Sequence, residues 1–185
     1  MARGIRASLE HVPDRTAHDE GNKSRAVYLG LHFMHSTIIQ KTVFATNESI
    51  YDEYTAGFSE MLCHGIELKR LTAQKSKTTN WTFDLGAVLP LYFIATKCRV
   101  RSIRKLAVET LQQGSRREGI WDNLLLAKMA ARVQRLEEEC IEKDVVPGWA
   151  RVEVLETFFE LDWRIVKMKC RNAWAKILAI AKDAQ

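Results

Sequence analysis

Phe83-Asp84-Leu85-Gly86-Ala87-Val88-Leu89-Pro90-Leu91-Tyr92-Phe93-Ile94-Ala95-Thr96-Lys97-Cys98-Arg99 decides how the rest of the chain is read. It is the most apolar run in the sequence and the one with a proline inside it. Proline fixes its own φ, lacks an N–H and disfavours the α region for the residue before it. Two readings follow for Leu89-Pro90: a helix that begins near Pro90, or a kink there. On either reading Pro90 sets the bend and the run is buried. The segments on both sides read as amphipathic cover for it.

The run from Leu85 to Ala95 is too short to span a bilayer. Arg3 and Arg6 are not followed by the apolar stretch of a signal peptide, so neither secretion nor a membrane span is expected. At 185 residues, 46% hydrophobic, the chain suits one domain with a real core. A net charge of +5 is a mild basic bias, weak as an indicator of nucleic-acid binding. Cys63, Cys98, Cys140 and Cys170 are widely separated and are read as reduced thiols.

Upstream of the central run, residues 1–23 lack periodicity and read as a flexible tail, leaving 24–185 as a single helical domain. Val27, Leu31, Met34 and Ile38 form one helical stripe beside Tyr28, His32, His35 and Ile39, with Ser24 as the expected N-cap. His32 and His35 have a spacing compatible with a shared metal, but no third ligand is signalled and two half-buried helix histidines are the favoured reading. After Thr46-Asn47-Glu48-Ser49 a second helix buries Tyr51, Tyr54, Phe58, Met61 and Leu62. In Cys63-His64 the helical geometry points the neighbours apart, so a core cysteine and a surface histidine are expected. Residues 72–80 read as a loop.

Downstream, Ile103, Leu106, Ala107, Thr110 and Leu111 are spaced for a helix that Gly114 ends. Ser115-Arg116-Arg117-Glu118 has the form of a capping box and is expected to open the longest helix, with Trp121, Leu125, Met129, Val133, Leu136 and Cys140 as its stripe. Arg116 with Glu118 would fix the entry of that helix, while Tyr92 and Trp121 would fill the core. Arg116 and Arg117 oppose the helix dipole there, so partners are expected at Glu109 or Glu137-Glu138-Glu139. Beyond Pro147-Gly148, Val152-Glu153-Val154 and Val166 to Arg171 alternate with period two, a β-hairpin turning near Glu160-Leu161-Asp162. Val152, Leu155, Phe159, Trp163 and Val166 also fit a helical period. A last short helix carries Trp174, Ile177, Leu178 and Ala181. The fold class is mainly α: helical hairpins or a bundle with a small C-terminal β-hairpin.

No nucleophile elbow, phosphate loop, dinucleotide fingerprint or zincin motif occurs, so an enzyme, cofactor or metal reading has no positive support. The densest charge feature is Lys97, Arg99, Arg101, Arg104, Lys105, Arg116 and Arg117. An internally paired or solvated face is the favoured reading, with phosphate binding second.

Leu89-Pro90-Leu91-Tyr92-Phe93-Ile94-Ala95-Thr96-Lys97-Cys98-Arg99, Ile103-Arg104, Ala107 and Arg116-Arg117-Glu118-Gly119-Ile120-Trp121-Asp122, in that order and spacing, resemble the C-terminal part of fungal six-cysteine zinc-cluster transcription factors. The likeness extends upstream to Leu31-His32 and Tyr51-Asp52 and downstream to the segment from Phe158 to Cys170. Two departures stand out. Val100-Arg101 replaces the acidic residue and proline common in such sequences after Cys-Arg, and four scattered cysteines cannot supply the zinc cluster that contacts DNA. The resemblance implies a regulatory or dimer-forming helical module in a fungal nucleus, or in the cytoplasm. It would act on a transcription factor, a co-regulator or its own second copy, beside a secondary-metabolic gene cluster. It does not by itself imply DNA binding. The rival from another class is direct, salt-sensitive nucleic-acid binding through Lys97, Arg99, Arg101 and Arg104. A pocket for a small ligand or a reaction near His32, His35, Tyr92 and Cys98 is the weakest reading.

Overall fold

The computed structural model describes residues 15–75, 81–82, 86–115, 117–139, 146–160, 165–171 and 178–181. Helix α1 (Arg15–Thr42) leads through a 3-10 turn (Glu48–Tyr54) into α2 (Thr55–Lys75), followed by strand β1 (Trp81–Thr82). Helices α3 (Val88–Lys97) and α4 (Arg101–Gln112) come next, then strands β2 (Arg117–Glu118) and β3 (Trp121–Asp122) and helix α5 (Asn123–Glu138). A short 3-10 turn (Gly148–Ala150) precedes β4 (Glu153–Glu160), β5 (Ile165–Arg171) and β6 (Leu178–Ala181). The fold is mainly α, with α1 packed on α2 and α3 in contact with α2, α4 and α5.

Helix α3 sits at the centre. Val88, Pro90, Leu91, Ile94, Ala95 and Thr96 are all buried, so the helix has almost no wet face. It begins at Val88, two residues before the proline. Pro90 stands in the first turn, where an N–H has no intrahelical partner to lose. The core around it takes Leu31 and Ile38 from α1, Phe58, Met61 and Leu62 from α2, Ala107 and Leu111 from α4, and Leu126, Met129 and Val133 from α5. Tyr92 and Trp121 are partly buried and pack against this core rather than filling it.

Several expected boundaries differ. Helix α1 starts at Arg15 rather than at a Ser24 cap, so residues 15–23 are helical; Lys23 is held there by Glu67 of α2 at 2.7 Å. Helix α2 runs through Thr72 to Lys75, where a loop was expected, and α1 and α2 are both longer than α5. The capping box at Ser115–Glu118 does not form. Gly119 adopts φ 59°, a left-handed conformation that glycine tolerates, and turns the chain so that Glu118 pairs with Trp121. Helix α5 begins at Asn123 instead, capped by Asp122, whose carboxylate accepts from the Leu125 amide at 2.9 Å.

The C-terminal hairpin forms, with Glu160 opposite Ile165 and a register shift between Val154 and Glu156. In β5, Val166, Met168 and Cys170 face inward and their neighbours outward, the period-two pattern of a half-buried strand. Leu178 to Ala181, expected in a last helix, form β6 along the other edge of β5. Residues 1–14, the segment 76–80, Arg116, Cys140, Leu161 to Trp163, Trp174 and Ile177 lie outside the described residues.

Candidate functional site

The charged residues singled out in sequence gather at the ends of α3. A helix leaves its first N–H and last C=O groups without partners, and α3 is too deeply buried for water to serve them. At its start, the Gly86 and Val88 amides donate to Glu118 Oε2 at 2.8 and 3.0 Å. A carboxylate is the right charge for a helix N-terminus. The Gly86 carbonyl in turn accepts from His32 Nε2 at 3.0 Å, which places the proton of that imidazole on Nε2. A Cβ at Gly86 would lie 2.2 Å from Glu118 Oε1, so only glycine fits between the two.

At the other end of α3, Arg104 Nε donates to Ala95 O at 3.2 Å, Gln134 Nε2 donates to the same oxygen at 2.9 Å, and Arg151 Nη2 donates to Lys97 O at 2.7 Å. Both arginines converge on Glu137. Arg104 Nη2 is 2.6 Å from Glu137 Oε2, and Arg151 Nε is 3.7 Å from Oε1, which also accepts the Val152 amide at 2.8 Å. Arg104, Arg151 and Glu137 are 3%, 3% and 0% exposed. Burial pulls the Arg104 guanidinium down from its ordinary pKa, and the Glu137 carboxylate opposes that shift. This triad ties α3, α4 and α5 to the start of β4.

Lys97, Arg99, Arg101 and Lys105 of the same cluster are also paired. Lys97 meets Glu48 at 2.7 Å and lies 5.1 Å from the centre of the Tyr51 ring; Arg99 meets Asp52 at 2.9 Å. On the outside, Arg101 pairs with Glu138 at 3.1 Å and Lys105 approaches Glu109 at 3.9 Å. Lys97, Arg99, Arg101 and Arg104, the candidate nucleic-acid contacts, therefore each have an acid from the same chain. Arg117 is exposed and donates to Gly119 O at 3.2 Å, not to Glu109 or the Glu137–Glu139 run. Sequence reasoning missed Arg151 and the burial of Arg104. The signal for Arg104 was its helical phase: it stands three, four and seven residues before Ala107, Val108 and Leu111, on the buried face of α4.

His32 and His35 are half-buried on α1, as the sequence suggested. His35 packs edge-on against Phe93 at 4.9 Å; burial, with a smaller push from His32, lowers its pKa to about 4. Burial raises the Cys98 thiol and moves Tyr92 up to about 12. Cys63 is exposed, the reverse of the expected core cysteine, and Cys98 and Cys170 are buried. A cleft of about 510 Å³ opens elsewhere, between Tyr28 and Leu29 of α1, Leu68 and Thr72 of α2, and Ala87. None of His32, His35, Tyr92 and Cys98, on which the small-ligand reading was placed, lines this cleft. Among the described residues no group of three or more His, Cys, Asp or Glu side chains could hold a metal ion. No helix among them is long and apolar enough to cross a membrane.

No protein-family model matches the chain, and no solved structure matches it. Over 93 residues it is 33% identical to the aspercryptin biosynthesis cluster-specific transcription regulator of Emericella nidulans, a match that covers 46% of this chain and 15% of that protein's length. Part of the chain is thus related in sequence to a fungal cluster-specific transcription regulator.

Proposed function

We propose that the chain is a non-enzymatic, transcription-factor-like regulatory protein of a fungal nucleus that acts through protein contacts on a secondary-metabolic gene cluster. The observation that carries this reading is the 33% identity over 93 residues to a cluster-specific regulator. The pairing of the cations argues against DNA contacts. A phosphate-binding surface needs cations free to exchange their counterions for the polyanion. Here Lys97, Arg99 and Arg104 already pair with Glu48, Asp52 and Glu137 and are largely withdrawn from solvent. Breaking the Arg104 pair to reach a phosphate would leave the buried Glu137 without that partner.

The test has two arms. Passing a fungal nuclear extract over the immobilised chain retains a transcription factor or co-regulator, and retention persists after nuclease treatment. A titration against duplex DNA at low salt gives only weak binding that Arg101→Ala leaves unchanged. Tight, salt-sensitive DNA binding abolished by Arg101→Ala, with no retained protein, would replace this reading by the nucleic-acid one.

A further inference from the structure

The cleft of about 510 Å³ beside the start of α3 is a consequence of how that helix is capped. Gly86 and Ala87 line one side of it, the first without a side chain and the second with only a methyl group. Glu118 holds the Gly86 amide so closely that a Cβ there would lie 2.2 Å from Oε1, so no larger residue at position 86 can fill the space. Tyr28 and Leu29 of α1 and Leu68 of α2 supply the other apolar walls. Leu68 is buried, Tyr28 half-buried and Leu29 64% exposed. Concavities of about 300–1,000 Å³ with apolar walls and a few polar groups are the size and kind that hold small organic molecules.

The charges at the cleft select the sign of its occupant. Two cations line it. Lys69 is half-buried and donates to the carbonyls of Thr110 and Gln113. Arg25 is exposed and makes no ion pair among the described residues. Residues 26–40 contain no Lys, Arg, Asp or Glu, so Arg25 is the charge that α1 brings to this place. The acid among the described lining residues, Glu118, accepts the Gly86 and Val88 amides through Oε2, which turns its charge toward the start of α3. From this arrangement we infer that the cleft binds a small apolar carboxylate. Its hydrocarbon or aryl body lies against Tyr28, Leu29 and Leu68, and its carboxylate meets the Arg25 guanidinium, whose fork of donors matches two carboxylate oxygens. A molecule seated there touches α1, α2 and the start of α3 together and so stabilises their folded arrangement by mass action. The inference rests on the cleft alone and stands or falls separately from the regulatory reading.

The test is isothermal titration calorimetry of the full chain with octanoate, phenylbutyrate and naphthaleneacetate, each beside its neutral amide. At least one of these acids should bind saturably at one per chain, about fivefold or more tighter than its amide, and should raise the thermal unfolding midpoint. Arg25→Gln should bring that acid down to the affinity of its amide and leave the amide unchanged. Because Arg25 is exposed, the variant should keep the helical circular dichroism of the parent. Leu29→Ser, at a second exposed position, should weaken acid and amide alike. No saturable binding of any of the three acids up to millimolar concentration, an amide that binds as tightly as its acid, or an acid whose affinity is indifferent to Arg25→Gln or to Leu29→Ser would overturn the inference.

Discussion

Glu118 reaches back 32 residues to accept the Gly86 amide at 2.8 Å, and the same oxygen takes the Val88 amide at 3.0 Å. With Arg104 and Arg151 on the carbonyls at the far end, α3 carries a negative cap at its N-terminus and positive caps at its C-terminus. Its local sequence supplies neither. Loss of the first cap leaves the buried Val88 amide and the half-buried Gly86 amide without that partner, so Glu118→Ala should lower stability by about 1–3 kcal/mol. Glu118→Gln, which keeps one acceptor oxygen, should cost less. Urea unfolding of the three proteins measures the order.

Gly86 and Glu118 should behave as a coupled pair. A methyl at position 86 collides with Glu118 Oε1, so Gly86→Ala should destabilise by roughly 1–3 kcal/mol. In a Glu118→Ala background much of that cost should vanish. A double-mutant cycle with no coupling would mean that the two residues do not touch.

Glu137 and Glu138 are adjacent acids with opposite surroundings. Glu137→Gln strips the counter-charge from two buried arginines and should cost about 3–5 kcal/mol. Glu138→Gln loses only the exposed pair with Arg101, worth less than about 1 kcal/mol. Denaturant midpoints of the two variants separate these cases.

His35 should make the fold acid-sensitive. Burial lowers its folded pKa to about 4, below the ~6.5 of an exposed imidazole. The unfolded chain therefore binds a proton that the folded chain refuses. The stabilisation is complete above about pH 6.5 and drains away as pH falls through that value toward 4. His35→Gln should flatten this slope relative to the parent, which comparison of their unfolding free energies from pH 7 to 4 will measure.

The apolar run around Pro90 and the alternation in β5 were legible because periodicity is a local property, visible wherever one face is buried. The capping box was misread for the same reason. Ser115 and Glu118 match it by spacing, yet the Glu118 carboxylate serves the amides of Gly86 and Val88, and nothing local to residue 118 announces that contact. The left-handed Gly119, and Asp122 immediately before an apolar helical stripe, were the available signs that α5 starts later. Arg104 was read as one cation in a cluster, although its phase on α4 already put it inward. Burial of a charge depends on a partner from another element, here Glu137, and so is not written in any one helix.

On the proposed reading the chain influences transcription by the proteins it binds, without binding DNA itself. Tethering the chain to an unrelated DNA-binding domain at a reporter promoter in a filamentous fungus, and measuring reporter transcript, tests it most directly. The tethered chain should change the transcript several-fold, in either direction, and the destabilised Glu137→Gln variant should fail to do so. A tethered, folded chain that leaves the reporter unchanged would contradict it.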